Sequence, residues 1–475
     1  MPKVNVKWSG KLFEVDVDQD LEPLVFKSQL FGLTGVSPDR QKVMVKGKTL
    51  SDDSWNGISL TEGTMLMLLG STGAIPQQVK PSSDENLKPD GSVDKKVVLP
   101  TGLTNLGNTC YMNATLQSFL TIPELLNGVK QWGPSGSEKA SNETSKLFTG
   151  AIRNLFTEMS VKSGGPVTPL VPLHLMHALY PQFATKSDHG GFQQQDANEC
   201  FTELLREFSG CADVTVDGEK VPVKKFLEGE FDVTMKNLEN EDEPILKSKE
   251  KFFQLSCFLS QEVRYVQSGI KSKMTEEIEK NSEALGRNCK YEKNTLISRL
   301  PAYLSIQMVR FFYKEKDQIN AKILKDVKFP MILDVFDLCS PELQIKLKPQ
   351  RDAFKEYEDK AVEKIRTSKL GEDDKKDVDV NVNVKYAPSH FEGDPGSNNS
   401  GFYQLNAIIT HKGRSSNSGH YVAWVRVGEK KWAMCDDDEV HEVSEENIQK
   451  LSGGGDWHCA YVLLYGPRKL PLIES

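Results

Sequence analysis

Gly102-Leu103-Thr104-Asn105-Leu106-Gly107-Asn108-Thr109-Cys110-Tyr111-Met112-Asn113 is the stretch on which the reading of this chain turns. A loop rich in Gly, Asn and Thr delivers one cysteine to the start of a helix-like run. The positive end of a helix dipole favours the thiolate there, and the thiolate is the nucleophilic form of cysteine. A free cysteine is also among the most buried of residue types. By itself the stretch therefore allows a covalent catalyst or a core thiol.

A nucleophile needs a base, and a candidate lies far downstream in Gly413-Arg-Ser-Ser-Asn-Ser-Gly-His420-Tyr-Val-Ala-Trp424. Small residues bring His420 to the head of a strand in which Val422 and Trp424 alternate. The strand turns near Gly428-Glu429 and returns as Lys431-Trp-Ala-Met-Cys-Asp436-Asp437-Asp438. A two-residue loop sets His420 opposite Asp437, and one extra loop residue sets it opposite Asp436. Either carboxylate would fix the imidazole tautomer and stabilise its protonated form. The order Cys, His, Asp is that of papain-like cysteine peptidases.

The rest of the composition narrows the class. The 475 residues are 38% hydrophobic and 27% charged, which suits two or three globular domains. The net charge of -8 leaves no basic face for nucleic acid. Eight cysteines occur, Cys110, Cys200, Cys211, Cys257, Cys289, Cys339, Cys435 and Cys459, with no C-x-x-C pair to frame a zinc site. Their spread is unlike a disulfide scaffold. The first residues carry no apolar signal core, and no apolar run is long enough to cross a bilayer. A reducing cytoplasmic or nuclear setting is expected.

Residues 1–70 read as a separate module. Val4, Val6 and Trp8 alternate, Ser9-Gly10 offers a turn, and Phe13, Val15 and Val17 alternate again, a hairpin pattern. Phe26, Leu30 and Leu33 follow at helical spacing, and Met65–Leu69 reads as a buried last strand. Residues 71–97, rich in Pro, Ser and charge, read as a flexible linker. A second such stretch, near 367–400, reads as a mobile insertion in a large domain spanning 98–467, with a tail at 468–475.

The element order of the first module, together with Gln41–Leu50 and Asp52-Asp53, resembles the β-grasp fold of ubiquitin. Gly102–Gln117 resembles the Cys box of the ubiquitin-specific proteases, and Gly419-His420-Tyr421-Val422 through Trp432 and Asp436-Asp437-Asp438 resembles their His box. Phe192-Gln-Gln-Gln-Asp196-Ala-Asn-Glu199 is similar to the box between them. Three motifs in order cover most of the chain. The resemblance implies an α+β architecture, a ubiquitin-like domain followed by a papain-like domain with helical thumb, β-sheet palm and fingers.

It also implies a thiol-dependent deubiquitinase acting through an acyl-enzyme. Cys110 would be its nucleophile, His420 its base and Asp436 the third member, with Asp437 an auxiliary acid. Asn105 would help form the oxyanion hole with the Cys110 amide. Asp196 is first a helix N-cap, and Phe201, Leu204, Leu205 and Phe208 behind it suit a core-facing stripe. His174, His177, His411 and His458 read as structural. Many family members bind zinc in the fingers through two C-x-x-C pairs. This chain offers only Cys257 and Cys289, singly, so a zinc-free finger held by apolar contacts and its sheet ladder is expected, with no metal or cofactor.

Family loops over the cleft imply a gate that slows the free enzyme. Phe311 and Phe312 would be aromatic plugs, and Ser415, Ser416 and Ser418 would lie in a flexible turn. The implied partners are ubiquitin, polyubiquitinated proteins and, through the ubiquitin-like domain, the 26S proteasome regulatory particle. Nucleic acid and membrane insertion are not expected.

Overall fold

Alternation and turn chemistry build the first unit. In the computed structural model, β1 (Lys3–Trp8) and β2 (Lys11–Asp16) form a hairpin with Val6 opposite Phe13. Its two turn residues, Ser9 and Gly10, both take left-handed φ values of 49° and 79°, as tight hairpins require. Strands β3 (Lys42–Val45), β4 (Lys48–Thr49) and β5 (Met65–Leu69) complete a sheet of order β2-β1-β5-β3-β4, with β5 parallel to β1. Val4, Val6, Phe26, Leu30, Val43, Val45, Leu66 and Leu68 form its core. Leu33, expected on the same helical face, lies outside the described residues.

The structure describes residues 2–69, apart from scattered positions in 18–40 and 46, 52, 53 and 56. It describes 98–370 except 133–141, 163, 187–189, 211, 212, 217 and 315–318, and 385–472 except 416, 417 and 456. The chain divides into two compact units, Met1–Lys95 and Lys96–Ser475. Residues 71–97, read as linker, lie outside the described set.

One expectation for the first unit changes. β5 is not buried throughout. Leu66 and Leu68 point inward, whereas Met65, Met67 and Leu69 are 54%, 50% and 46% exposed. Successive strand residues face opposite sides, and only one face of this sheet meets the core.

The second unit opens with helices α1 (Cys110–Phe119), α2 (Pro123–Gln131), α3 (Glu143–Val161), α4 (Leu170–Leu179) and α5 (Ala197–Ser209). Every residue of α1 is buried. Phe119 packs its ring 5.1 Å from Phe201 and 6.1 Å from Phe208 of α5. Asp196 caps α5, accepting from the amides of Asn198 (2.7 Å) and Glu199 (3.1 Å), and Phe201, Leu204, Leu205 and Phe208 are buried beneath.

A short hairpin, β6 (Asp213–Val216) and β7 (Glu219–Pro222), leads to β8 (Gly229–Asn237), β9 (Leu246–Phe252), β10 (Gln254–Phe258), β11 (Thr275–Ser282) and β12 (Arg287–Arg299). Four of these make an antiparallel sheet of order β11-β12-β8-β9. At its tip the Glu243 carboxylate accepts from Tyr291 Oη (2.6 Å), Ser282 Oγ (2.7 Å) and Asn237 Nδ2 (2.7 Å). The tip is thus held by a polar hub as well as by the ladder and apolar contacts expected from sequence. Cys257 and Cys289 lie on different sheets, in β10 and β12.

Strands β13 (Leu304–Val309), β14 (Phe311–Lys314), β15 (Ile319–Lys322) and β16 (Ile332–Asp334) precede the long helix α6 (Pro341–Leu370). Then come β17 (Phe402–Ser415), β18 (Ser418–Arg426), β19 (Lys431–Asp436), β20 (Glu439–Ser444) and β21 (Cys459–Pro467). The main sheet runs β10-β13-β21-β17-β18-β19-β20, with β16 beside β17. Between β13 and β14 sits Arg310, fully buried. Its guanidinium donates to the carbonyls of Ala460 (2.6 Å), Ile323 (3.0 Å), Lys325 (2.9 Å) and Ser452 (2.9 Å).

Part of the stretch read as a mobile insertion, 367–400, is ordered in the structure. α6 runs to Leu370, and 371–384 lie outside the described residues. Residues 385–400 are anchored. Arg299 grips Asp394 through two 2.9 Å bonds, and Ser397, Asn398 and Ser400 are buried. Polar composition misled here because Asn398 Oδ1 turns inward to accept from the amides of Ser400 and Gly401.

Candidate active site

The Cys loop is folded by its own asparagine. Asn105 Oδ1 accepts from the amides of Gly107 (2.9 Å) and Thr109 (3.2 Å), while Gly107 and Asn108 take positive φ values of 96° and 54°. This turn sets Cys110 as the first residue of α1, with Thr109 as N-cap. Because Asn105 Oδ1 is taken by amides, its Nδ2 must face the other way, and it donates to Asp437 Oδ2 at 2.8 Å. Asn113, three residues beyond Cys110 on the same helix face, donates to Asp437 Oδ1 at 2.8 Å. At Gly102 the loop passes so close to the β19–β20 turn that a Cβ would run into the Asp438 carbonyl. Leu103 N donates to Asp437 O there (2.8 Å).

His420 and its acid meet through β18 and β19, in a register sequence reading did not anticipate. Ala423 faces Cys435, Trp424 faces Met434 and Arg426 faces Trp432. Carried one pair further, Val422 is level with Asp436, so His420 is opposite neither Asp436 nor Asp437. The loop takes three residues, 428–430, with the amides of Val427 and Gly428 both donating to Lys431 O, and the added residue moves the partner of His420 forward to Asp438 rather than back to Asp436. His420 and Asp436 instead lie on one sheet face as diagonal neighbours. His420 Nε2 stands 2.5 Å from Asp436 Oδ1.

The electrostatics follow. The hydrogen bond to Asp436, then the bond to the Cys110 thiol, raise the His420 pKa to about 10 against the opposing effect of burial. The imidazole is therefore protonated at neutral pH. His420 in turn holds Asp436 below the usual carboxylate range. With Nε2 committed to Asp436, Nδ1 is the nitrogen left for sulfur. Asp437, in the two-residue turn to β20 with φ of 52°, bonds the two asparagines rather than the imidazole. Burial raises its pKa, against the two amides.

Among the described residues, His420, Asp436 and Asp437 offer ligand-type atoms within 4.8 Å of one another. Asp436 is engaged by His420 and Asp437 by two amides, which is the wiring of a proton-handling site. A cavity of about 480 Å³ beside them is lined by Lys412, Gly413, Gly419, His420, Asp436 and His458.

The Phe192–Glu199 box backs this site. Asn108 Nδ2 donates to Phe192 O (2.9 Å), and Asp196 Oδ2 accepts from Tyr461 Oη (2.6 Å). Phe311, expected as an aromatic plug, is half-buried and packs edge-on against His411 (5.4 Å) and Tyr461 (5.3 Å). The side chain of Phe312, and Ser416, lie outside the described residues. Ser415 pairs with Ser418 at the end of the β17–β18 hairpin. Sequence reading missed Asn113, whose signal was its helical spacing from Cys110.

Comparison with known proteins identifies the family. Residues 101–465 match the family model described as ubiquitin carboxyl-terminal hydrolase, and residues 4–72 match the ubiquitin family. The chain is 42% identical to ubiquitin carboxyl-terminal hydrolase 14 of Caenorhabditis elegans, over 98% of this chain and 94% of that protein. It is 38% identical to ubiquitin carboxyl-terminal hydrolase 6 of Arabidopsis thaliana, over 98% and 99%. The Schizosaccharomyces pombe protein named ubiquitin carboxyl-terminal hydrolase 6 is 36% identical, over 98% of each chain.

Proposed function

From the premise that this chain belongs to the ubiquitin carboxyl-terminal hydrolase family and is a cysteine-type deubiquitinase, we propose that Cys110, His420, Asp436 and Asn105 carry its reaction. The observation that supports the assignment is the bond from His420 to Asp436 at 2.5 Å with the Cys110 thiol on the same imidazole. The Cys110 thiolate attacks the carbonyl carbon of ubiquitin's last glycine. The oxyanion that forms is met by Asn105 Nδ2 and the Cys110 amide. His420 then gives its proton to the departing lysine amine as the C–N bond breaks, leaving a thioester on Cys110. Water attacks the thioester, neutral His420 takes one proton, the C–S bond breaks to restore the Cys110 thiolate, and the ubiquitin carboxylic acid that leaves gives its proton to solvent.

The test is a ubiquitin bearing a C-terminal electrophile. Wild type should form a one-to-one adduct and Cys110→Ala none. Absence of an adduct on wild type, with proteasomes added, overturns the assignment.

The finer setting is also a proposal. The ubiquitin-like domain carries an apolar stripe of Met65, Met67 and Leu69, with Met44 and Lys7 flanking Met67 and Lys42 flanking Leu69. Such a patch suits a protein partner, and we assign it to the proteasome regulatory particle. The stretch from Arg414 to Gly419, whose Gly419 lines the cavity at His420, acts as the gate, and Phe311 serves as its packed base. Ubiquitin–fluorophore hydrolysis should be slow for the free chain and accelerated by proteasomes. Met67→Asp should remove that acceleration, and full activity of the free chain contradicts the gate.

A further inference from the structure

We infer that Lys322 is a positioning residue for His420: its ammonium, brought in on the β14–β15 hairpin, fixes the backbone turn from which the imidazole projects. The inference rests on the assignment of Cys110 and His420 as nucleophile and base.

The contacts are specific. Lys322 Nζ lies 2.9 Å from His411 Nδ1, 2.7 Å from His411 O and 3.1 Å from Gly413 O. An ammonium has three hydrogens and no lone pair, so each bond runs outward from lysine. His411 is fully buried, and burial followed by the lysine charge lowers its pKa to about 3. The ring is neutral, accepts at Nδ1 and so donates from Nε2, to Ser418 O at 3.2 Å. One cation thereby reaches both arms of the hairpin, β17 directly and β18 through the ring.

These bonds stand where the ladder fails. β17 and β18 pair regularly to Lys412 opposite His420, then shift before Ser415 and Ser418. Gly413 and Gly419 take φ values of 132° and 124°, and a Cβ on either would strike the other arm. Such a bulged, glycine-closed end has little stiffness of its own. Lys322 and His411 supply the missing cross-links, reaching β18 at Ser418, two residues before His420. Phe311, on the partner strand of β15, packs on His411 and braces the lysine-bearing hairpin.

The titratable groups facing His420 are Cys110 from α1, Asp436 and Asp437 from the β19 end, Lys412 and His411 from β17, and His458 before β21. Iodoacetamide is small enough to report the Cys110–His420 pair without ubiquitin. The full chain is alkylated across a pH series, with labelling at Cys110 read by peptide mass. Wild type should label at Cys110 faster than His420→Ala does at mildly acid pH. Lys322→Met should slow labelling about tenfold at mildly acid pH, while changing it less than about twofold at strongly alkaline pH. Lys322→Arg, which keeps the donors, should stay within about threefold of wild type throughout.

If Lys322→Met does not unfold cooperatively, Lys322→Gln should show a smaller loss in the same direction, about fivefold at mildly acid pH. A folded Lys322→Met or Lys322→Gln with the wild-type profile overturns the role of Lys322. A wild-type protein that labels no faster than His420→Ala at mildly acid pH overturns the pairing of Cys110 with His420.

Discussion

Two carboxylates hold two distant regions of the large unit, and they behave oppositely. Asp437 at the cleft accepts from two asparagine amides, and burial still drives its pKa up. Glu243 at the fingertip accepts from a tyrosine, a serine and an asparagine, and those donors, Tyr291 first, drive its pKa down. Both are hubs, but only the fingertip hub is comfortable as an anion. A site that keeps an uncomfortable carboxylate keeps it for what it aims. Asp437 aims Asn105, whereas Glu243 joins β8, β11 and β12 into one tip.

The largest effect should come from the group that Asp437 aims. Asn105→Ala should lower kcat by about 10²–10³ with KM nearly unchanged, read on ubiquitin–fluorophore. A rise in KM alone would make Asn105 a binding residue and break the contrast. Asp437→Asn leaves one asparagine facing a donor, so kcat should fall about tenfold with the pH profile unmoved. A shifted profile would mean that Asp437 serves His420. At the other hub, Glu243→Ala should raise KM for ubiquitin substrates a few-fold, about 3–10, and spare kcat. Equal losses in both constants would erase the distinction between the regions.

The smallest effect is in acid. Glu243 has a depressed pKa, so its stabilisation is full above the unfolded value near 4.5 and is lost as pH falls through its lower folded value. Asp437 has a raised pKa, so its charged form opposes folding at neutral pH, and that opposition is relieved as pH falls through its folded value. Acidification should therefore cost amide-exchange protection at the fingertip before the Cys loop. The reverse order would contradict both assignments of sign.

Much of the cleft was legible because its groups are local. The polar loop before Cys110, the helix start at Cys110 and the cap at Asp196 each depend on a few neighbours. The hairpin register was not legible, since a loop one residue longer moves every pair and chemistry gives no cue to its length. Lys322 and His411 stand 89 residues apart and meet only through tertiary packing. β5 misled for another reason, because five apolar residues in a row say nothing of how many faces the sheet will cover.

Arg310 carries a consequence for how this protein comes together. Its guanidinium can leave water only when the segment at Ile323–Lys325, Ser452 and Ala460 all supply their carbonyls, and Ala460 is 150 residues away. Any chain lacking one of these segments holds a stripped cation or a wet core, and both are high in free energy. Half-assembled palms are thus disfavoured, and the sheet that bears His420 arrives as a unit or not at all. During synthesis that moment waits on β21, among the last strands to emerge.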